Sequence, residues 1–139
     1  MKKARVKWVE NLKFIGDAPS GHSIAMDGPK EPGGDDSAIH PGEMTLLALG
    51  GCTGIDVVSI LKKMRVPFDS FEIAIEADAR EEHPKTFTKI SLKYIFKGKN
   101  IDESKVKQAI DLSQEKYCSV SAMMRKTSEI SFDYEIIDV

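Results

Sequence analysis

The longest continuous apolar segment, Glu43–Met64, constrains the fold of this chain more than any other feature. Its apolar side chains recur at spacings of three, four and seven residues, and others fill a second face, so it predicts a helix buried on nearly every side. Cys52, one of only two cysteines, lies near the centre. A membrane-spanning helix is excluded, because Asp56 and three glycines interrupt the apolar run. The segment therefore predicts the central helix of a folded domain.

The length and charge of the chain indicate its domain number, its partners and its compartment. The 139 residues suffice for one domain with a substantial core and are too few for two. Asp and Glu (22) nearly balance Lys and Arg (20), so the net charge of −2 offers no broad basic surface to nucleic acid or an anionic membrane. The basic N-terminus has no apolar core behind it and is not a secretory signal. We therefore expect a cytoplasmic protein in which both cysteines are thiols.

Alternation of apolar and polar residues predicts strands on both sides of the central helix. The predicted strands are Val6–Val9, Leu12–Ile15, Ser23–Met26, Phe71–Ala79, Phe87–Gly98 and Ile130–Ile136, and the predicted shorter helices are Glu103–Lys116 and Ser119–Lys126. This order predicts an α+β fold in which antiparallel β-sheets pack on one long helix. One chain has too few strands to cover that helix on both sides, so we expect a second copy to cover it in a swapped or obligate dimer.

The two cysteines are the main candidates for chemistry. Cys52 lies in the glycine-rich segment 50–54. The missing side chains could let a ligand approach the thiol, or they could let two helices cross tightly around a buried cysteine. Both interpretations stay open. Cys118 precedes a predicted helical turn, whose free N–H groups and dipole would lower the pKa of its thiol. The two thiols together are sufficient for a peroxidatic cycle. A peroxide oxidises one cysteine to a sulfenic acid, and the other cysteine then reacts with it to form a disulfide.

A metal site is the competing interpretation from another class. The two cysteines could join two of the three histidines, His22, His40 and His83, in a Cys2His2 zinc site. No short ligand pair is present, so we predict no metal ligand and no cofactor. Asp56 follows Cys52 by one helical turn, where its carboxylate would raise the pKa of the thiol. Glu43 is most simply a first-turn acid that complements the helix dipole.

Three segments resemble a known family, the OsmC/Ohr family of osmotically inducible and organic-hydroperoxide-resistance proteins. They are residues 40–53 (HPGEMTLLALGGCT), 56–58 (DVV) and 117–121 (YCSVS). Their amino-acid sequence is most similar to that of the YhfA-type OsmC-like subgroup. The resemblance implies a tightly intertwined homodimer with two sites at the subunit interface. It also implies thiol-dependent reduction of organic hydroperoxides, with Cys52 as the peroxidatic and Cys118 as the resolving cysteine. A dithiol such as a lipoyl protein is the implied reductant.

Two features differ from the pattern of the peroxidases in that family: the position of an orienting Glu, and the Arg that it orients, since the only Arg of the N-terminal region, Arg5, does not match the family's position. There, a Glu directly after the proline that opens the helix orients an Arg from the N-terminal strands, whereas here Gly42 follows Pro41 and Glu43 comes one residue later. We predict a cytoplasmic, stress-responsive antioxidant peroxidase in which Glu43 is a possible orienting acid. The alternative is a protein of the same fold with lost or altered activity that binds an apolar small molecule at the dimer interface.

Overall fold

The computed structural model describes all 139 residues and has an α+β architecture, as the sequence predicts. The strands are β1 (Arg5–Glu10), β2 (Lys13–Asp17), β3 (Ser23–Met26), β4 (Ser70–Ala79), β5 (Phe87–Gly98) and β6 (Glu129–Asp138). The helices are α1 (Pro41–Lys63), α2 (Glu103–Leu112) and α3 (Ser119–Met124), with a π-helical turn, Ser113–Tyr117, between α2 and α3. The chain divides into two compact units, Met1–Leu47 and Ala48–Val139, and the single domain stays a prediction.

The first unit contains a three-stranded antiparallel sheet in the order β1-β2-β3. The predicted hairpin is confirmed, and its turn places Asn11 at a φ of 47°, a left-handed conformation that asparagine tolerates. Trp8 and Ile15 remain largely exposed, because no second layer of this unit covers them. An exposed apolar sheet of this kind is typical of a surface that another chain covers.

The loop between β3 and α1 is held by the carboxylate of Asp27, which is almost fully buried. Its oxygens accept hydrogen bonds from the Gly28 N–H (2.7 Å), the Ser37 N–H (3.0 Å) and the Ser37 hydroxyl (2.7 Å). These donors lower the pKa of Asp27 to about 2, because they stabilise the ionised form. The glycine- and proline-rich loop thus has a defined conformation on its way to the long helix.

The second unit contains a mixed three-stranded sheet in the order β4-β5-β6. Strands β4 and β5 pair antiparallel, as predicted, but β5 and β6 run parallel. The prediction of purely antiparallel sheets is therefore wrong for this pair. The chain between them passes through α2 and α3, and a crossover of that length brings the next strand back in the same direction. The core of this unit includes Ile90, Leu92, Tyr94, Phe96, Val106, Ala109 and Ile110.

Helix α1 buries only one stripe of its surface within the single chain. Its buried residues are Leu49, Thr53, Val57 and Leu61, at spacings of four, whereas Ile55 is 73% exposed. The prediction of a helix buried on nearly every side is thus wrong for one chain alone. By length and composition α1 could cross a membrane (mean hydropathy 1.8, 22% of that window buried), a test that core helices of soluble proteins also pass. Its exposed apolar face is the surface that the predicted second copy would cover.

Candidate functional site

The two cysteines, 66 positions apart in the sequence, lie side by side in the second unit. The Sγ atoms of Cys52 and Cys118 and a carboxylate oxygen of Asp56 all lie within 4.8 Å of one another. Both cysteines are free thiols; Cys118 is buried, and Cys52 is partly accessible. A disulfide needs an S–S distance of about 2.05 Å, so the side chains must still rotate towards each other to form one. We call these three side chains the thiol cluster.

The glycines around Cys52 allow a strand to approach α1 closely. A Cβ on Gly50 would lie 2.8 Å from Cδ1 of Ile75, and one on Gly54 would lie 3.4 Å from Cδ1 of Ile73. Both isoleucines belong to β4, so these two glycines serve packing of the helix against the sheet rather than a crossing of two helices. A Cβ on Gly51 would meet nothing within 4 Å. The segment therefore combines close packing at Gly50 and Gly54 with open space at Gly51, the residue before Cys52.

A π-helical turn brings Cys118 into position. The sequence predicts an α-helix to Lys116, but the α-helical part ends at Leu112, and Ser113–Tyr117 continues as a wider turn. It ends where the Cys118 N–H donates to the carbonyl oxygen of Ser113 at 2.7 Å. Cys118 then caps α3, as predicted, and its Sγ accepts a hydrogen bond from the Ser121 N–H at 3.4 Å. Such π-helical insertions are frequent at functional sites.

A chain of buried hydrogen bonds leads to the Asp56 carboxylate. Tyr94 OH and Thr53 Oγ1 are 2.7 Å apart, Thr53 Oγ1 and Ser113 Oγ are also 2.7 Å apart, and Ser113 Oγ donates to Asp56 Oδ2 at 2.9 Å. Each hydroxyl has one proton, and an ionised carboxylate only accepts. The protons therefore point in one direction, from Tyr94 through Thr53 and Ser113 to Asp56, and each bond strengthens the next.

Gln114 ties this chain to the helix that carries Cys118. Its Nε2 donates to Tyr94 OH at 2.7 Å and to Thr53 Oγ1 at 3.2 Å. Its Oε1 accepts from the Ser121 hydroxyl at 2.7 Å and from Nη2 of Arg125 at 2.8 Å. The groups that contact Oε1 donate hydrogen bonds, and the hydroxyl groups that contact Nε2 accept them. Only one of the two possible orientations of the Gln114 amide satisfies these contacts. No buried side-chain polar atom lacks a partner, so the polar network next to the thiol cluster is fully hydrogen-bonded.

Burial reverses the predicted effect on the Cys118 thiol. The pKa of this thiol is raised to about 11: desolvation is the largest cause, the nearby Cys52 and Asp56 also raise it, and only the Ser121 N–H lowers it. The sequence-based prediction of a lowered pKa is therefore wrong. One N–H at 3.4 Å from Sγ, at the start of a six-residue helix, does not offset removal from water. Cys118 is consequently a neutral thiol at neutral pH.

Titration of Cys118 is expected to show this directly. In protein labelled at the cysteine β-carbon, its NMR chemical shift should change with a midpoint near pH 11, above the ordinary value of 9.0. Asp56→Asn removes a negative charge next to the thiol and should move the midpoint to lower pH. Asp133→Asn, an exposed acid outside the cluster, is the control and should leave the midpoint unchanged. A wild-type midpoint at or below pH 9.0 would contradict the assignment.

Four residues of this region escaped the sequence-based prediction: Tyr94, Ser113, Gln114 and Arg125. Ser113 had a recognisable signal, since it lies three and four positions after Ile110 and Ala109 and so continues the apolar stripe of α2. A polar residue on a buried helix face must find a partner. Tyr94 had a weaker signal, because an inward-facing tyrosine on a strand also needs a partner for its hydroxyl.

Glu43 has a capping role at the start of α1. Its Oε1 accepts a hydrogen bond from the His40 N–H at 3.0 Å and lies 3.5 Å from Nδ1 of the His40 ring. This contact satisfies the N–H of the residue that directly precedes the helix. Its action as an orienting acid stays a prediction. Arg5, the one arginine of the N-terminal strands, pairs with Asp17 at 3.2 Å. The potential metal ligands that converge contain no histidine, so the Cys2His2 alternative is not formed.

Comparison with known proteins agrees with this fold. A family described as OsmC-like protein matches residues 34–133. Protein YhfA of Escherichia coli K12 is 47% identical over 135 residues, which cover 97% of this chain and 98% of YhfA. A crystal structure of a hypothetical protein from Aquifex aeolicus VF5 is 31% identical, with a TM-score of 0.87 over 100% of this chain and 98% of that one.

A more distant structural neighbour carries a functional name. The crystal structure of an organic hydroperoxide resistance protein OsmC from Legionella pneumophila has a TM-score of 0.69 over 100% of this chain and 97% of that one, at 13% identity. At that identity the likeness concerns the fold alone. Taken with the matched family and the close relative, these comparisons show that the chain belongs to the OsmC-like protein family, as the sequence resemblance indicated.

Proposed function

We propose that this protein is a thiol-dependent peroxidase that reduces organic hydroperoxides. The observation that carries the proposal is the approach of two free thiols, Cys52 and Cys118, to within 4.8 Å. The names of structural neighbours as organic hydroperoxide resistance proteins support the same reaction class. The family resemblance implies that Cys52 attacks first, and Cys52 is the more accessible of the two thiols.

The proposed cycle has three balanced steps. The Cys52 thiolate attacks the terminal peroxide oxygen, the O–O bond breaks, and the products are a Cys52 sulfenic acid and an alcohol after protonation of the alkoxide. The Cys118 thiol then displaces the sulfenic hydroxyl, which leaves as water while the Cys52–Cys118 disulfide forms. A dithiol such as a lipoyl protein supplies two electrons and two protons to restore both thiols and becomes a disulfide itself.

Burial of Cys118 supports its role as the resolving residue. Its pKa of about 11 keeps the proton on the sulfur, so Cys118 does not compete with Cys52 for the peroxide. Condensation with a sulfenic acid releases water, whose second proton comes from this thiol. The two thiols therefore differ in accessibility, and burial keeps the proton on Cys118, as separate attacking and resolving roles require.

The proposal includes a homodimer and a cytoplasmic location. The exposed apolar residues of α1 and of the β1-β2-β3 sheet, such as Ile55 and Trp8, give a second copy of the chain an extensive apolar surface to cover. A reducing compartment keeps the two cysteines available as thiols, which the cycle needs at its start. Glu43 remains the candidate orienting acid, in addition to its contact with His40.

The test is turnover of purified protein with several peroxides and reductants. Chelator-treated protein should consume cumene hydroperoxide when dihydrolipoamide is the reductant, and it should consume hydrogen peroxide more slowly. A cysteine-free variant, Cys52→Ser with Cys118→Ser, measures the background rate. If wild-type protein consumes no organic hydroperoxide above that background with dihydrolipoamide or dithiothreitol, the proposed function is wrong.

A second candidate function is the binding of an apolar small molecule without peroxidase turnover. A cavity near the thiol cluster supports it. It measures about 450 Å³, and Ile55, Ile60, Met64, Leu112 and Tyr117 line it together with Asp56, Ser59 and Lys63. A cavity of this size and apolar character suits a small ligand. Ligand binding that persists in Cys52→Ser, together with no turnover in wild-type protein, would favour this candidate over the peroxidase.

A further inference from the structure

We propose that Cys52, Asp56 and Cys118 also form a binding site for one Zn²⁺ ion, with two thiolates and one carboxylate as ligands. Their donor atoms already lie within 4.8 Å of one another. In a tetrahedral zinc site, bonds of about 2.3 Å to sulfur and about 2.0 Å to oxygen place neighbouring ligand atoms roughly 3.5–3.8 Å apart. Side-chain rotations that shift these atoms by about 1 Å therefore suffice to form the site.

The charges in the cluster call for a cation. Asp56 takes part in none of the ion pairs of the chain, although its carboxylate lies next to two ionisable thiols. Because the two sulfur atoms and the carboxylate oxygen lie within 4.8 Å of one another, ionised thiols here would place like charges close together. A divalent cation at the centre of the three groups would convert this repulsion into attraction.

Hydrogen bonds from neighbouring residues orient the ligands. The Ser113 hydroxyl donates to Asp56 Oδ2 at 2.9 Å, and the Ser113 oxygen is itself fixed by Thr53 at 2.7 Å. The Ser121 N–H points at Cys118 Sγ from 3.4 Å. Outer partners of this kind hold metal ligands in place, and their loss typically weakens metal binding about 10- to 100-fold. The polar network described above thus supports the proposed ligands from the protein side.

The ligand types select the metal. Two thiolates favour a soft or borderline ion such as Zn²⁺ over Mg²⁺ or Ca²⁺, which prefer oxygen ligands. The sequence analysis considered histidines as the partners of the cysteines in a zinc site, but the third donor that converges with the two thiols is Asp56. Three protein ligands leave a fourth position open, and Cys52 and Asp56 are only partly buried, so water can reach it.

Zinc binding and disulfide formation exclude each other, because both use the sulfur atoms of Cys52 and Cys118. A bound ion would hold both thiols in the reduced state and slow their oxidation by peroxide. This inference does not depend on peroxidase activity, since a folded protein can bind zinc through this cluster whether or not it turns over hydroperoxides. Binding is measured on reduced protein without peroxide, and turnover is measured with chelator, so the two proposals can fail separately.

The test is metal titration of the reduced, chelator-treated full chain under anaerobic conditions. Calorimetry with Zn²⁺ alone should give one ion per chain, and Co²⁺ should produce the thiolate-to-metal absorption and the strong visible bands of a tetrahedral site. Cys52→Ser and Cys118→Ser should each weaken Zn²⁺ binding by at least about 100-fold, and Ser113→Ala by about 10- to 100-fold. His83→Ala is the matched control on a loop of the same unit and should bind as wild type does.

Three outcomes would overturn the proposal. They are binding of less than one ion per chain by folded wild-type protein, loss of binding in His83→Ala, and single-cysteine variants that bind as tightly as wild type. Circular dichroism verifies the fold of each variant. If a cysteine variant does not fold, the wild-type Co²⁺ spectrum still decides, because thiolate-to-metal absorption for fewer than two sulfur ligands contradicts the site.

Discussion

Cys52→Ser is expected to reduce the rate of organic hydroperoxide consumption by at least about 10³-fold, because a serine hydroxyl is not ionised near neutral pH and is a poor nucleophile towards peroxide. Cys118→Ser should behave differently. Its Cys52 should still react with one equivalent of hydroperoxide, but the reaction should stop at the sulfenic acid, which a dimedone-type reagent labels. Single-turnover kinetics with mass spectrometry of the products measures both variants.

The contrast between the two variants is the informative part of this prediction. The same replacement is made at both sites, so a general effect of removing a thiol would give similar results. Equal loss of the first reaction step in both variants would contradict separate attacking and resolving roles. A faster first step in Cys52→Ser than in Cys118→Ser would reverse the assignment and make Cys118 the attacking residue.

Gln114→Ala is expected to destabilise the protein by about 3 kcal/mol, or roughly 10 °C in Tm. The Gln114 side chain is 2% exposed and joins four hydrogen-bonding partners. Its removal leaves Tyr94 OH without its amide donor and Ser121 Oγ without its acceptor in a buried region. Urea unfolding followed by circular dichroism measures the change in the free energy of unfolding.

Glu115→Ala provides the matched control, since Glu115 is the next residue of the same π-helical turn and is exposed. Its effect should stay within about 0.5 kcal/mol. Similar unfolding free energies for Gln114→Ala and wild type would mean that the buried network contributes little. Gln114→Glu is a useful companion, because it keeps the shape but replaces the amide donor to Tyr94 with an acceptor.

Most elements of the fold follow from local patterns in the sequence. The strands obey two-residue alternation, Asp102 caps α2 through a hydrogen bond to the Lys105 N–H, and Cys118 caps α3. The parallel pairing of β5 with β6 could not be predicted this way. It depends on how the crossover through α2 and α3 returns the chain, which is a tertiary property rather than a local one.

The site was predictable only in part. The resemblance identified Cys52 and Cys118, and the structure brings them to within 4.8 Å of each other. The pKa of Cys118 could not be predicted correctly, because the sequence reveals that it caps a helix but not how far it is removed from water. The π-helical turn and the hydrogen bonds around Gln114 could not be predicted either, because the residues that bond to Gln114 belong to three different elements, α1, β5 and α3.

Peptide mapping of oxidised protein tests the central claim most directly. Reduced, chelator-treated wild-type protein receives one equivalent of cumene hydroperoxide, remaining thiols are alkylated, and the non-reduced peptides are identified by mass spectrometry. We predict a disulfide that joins the peptide containing Cys52 to the peptide containing Cys118 within one chain, and its loss after addition of dihydrolipoamide. Two alkylated thiols after exposure to hydroperoxide would contradict the account.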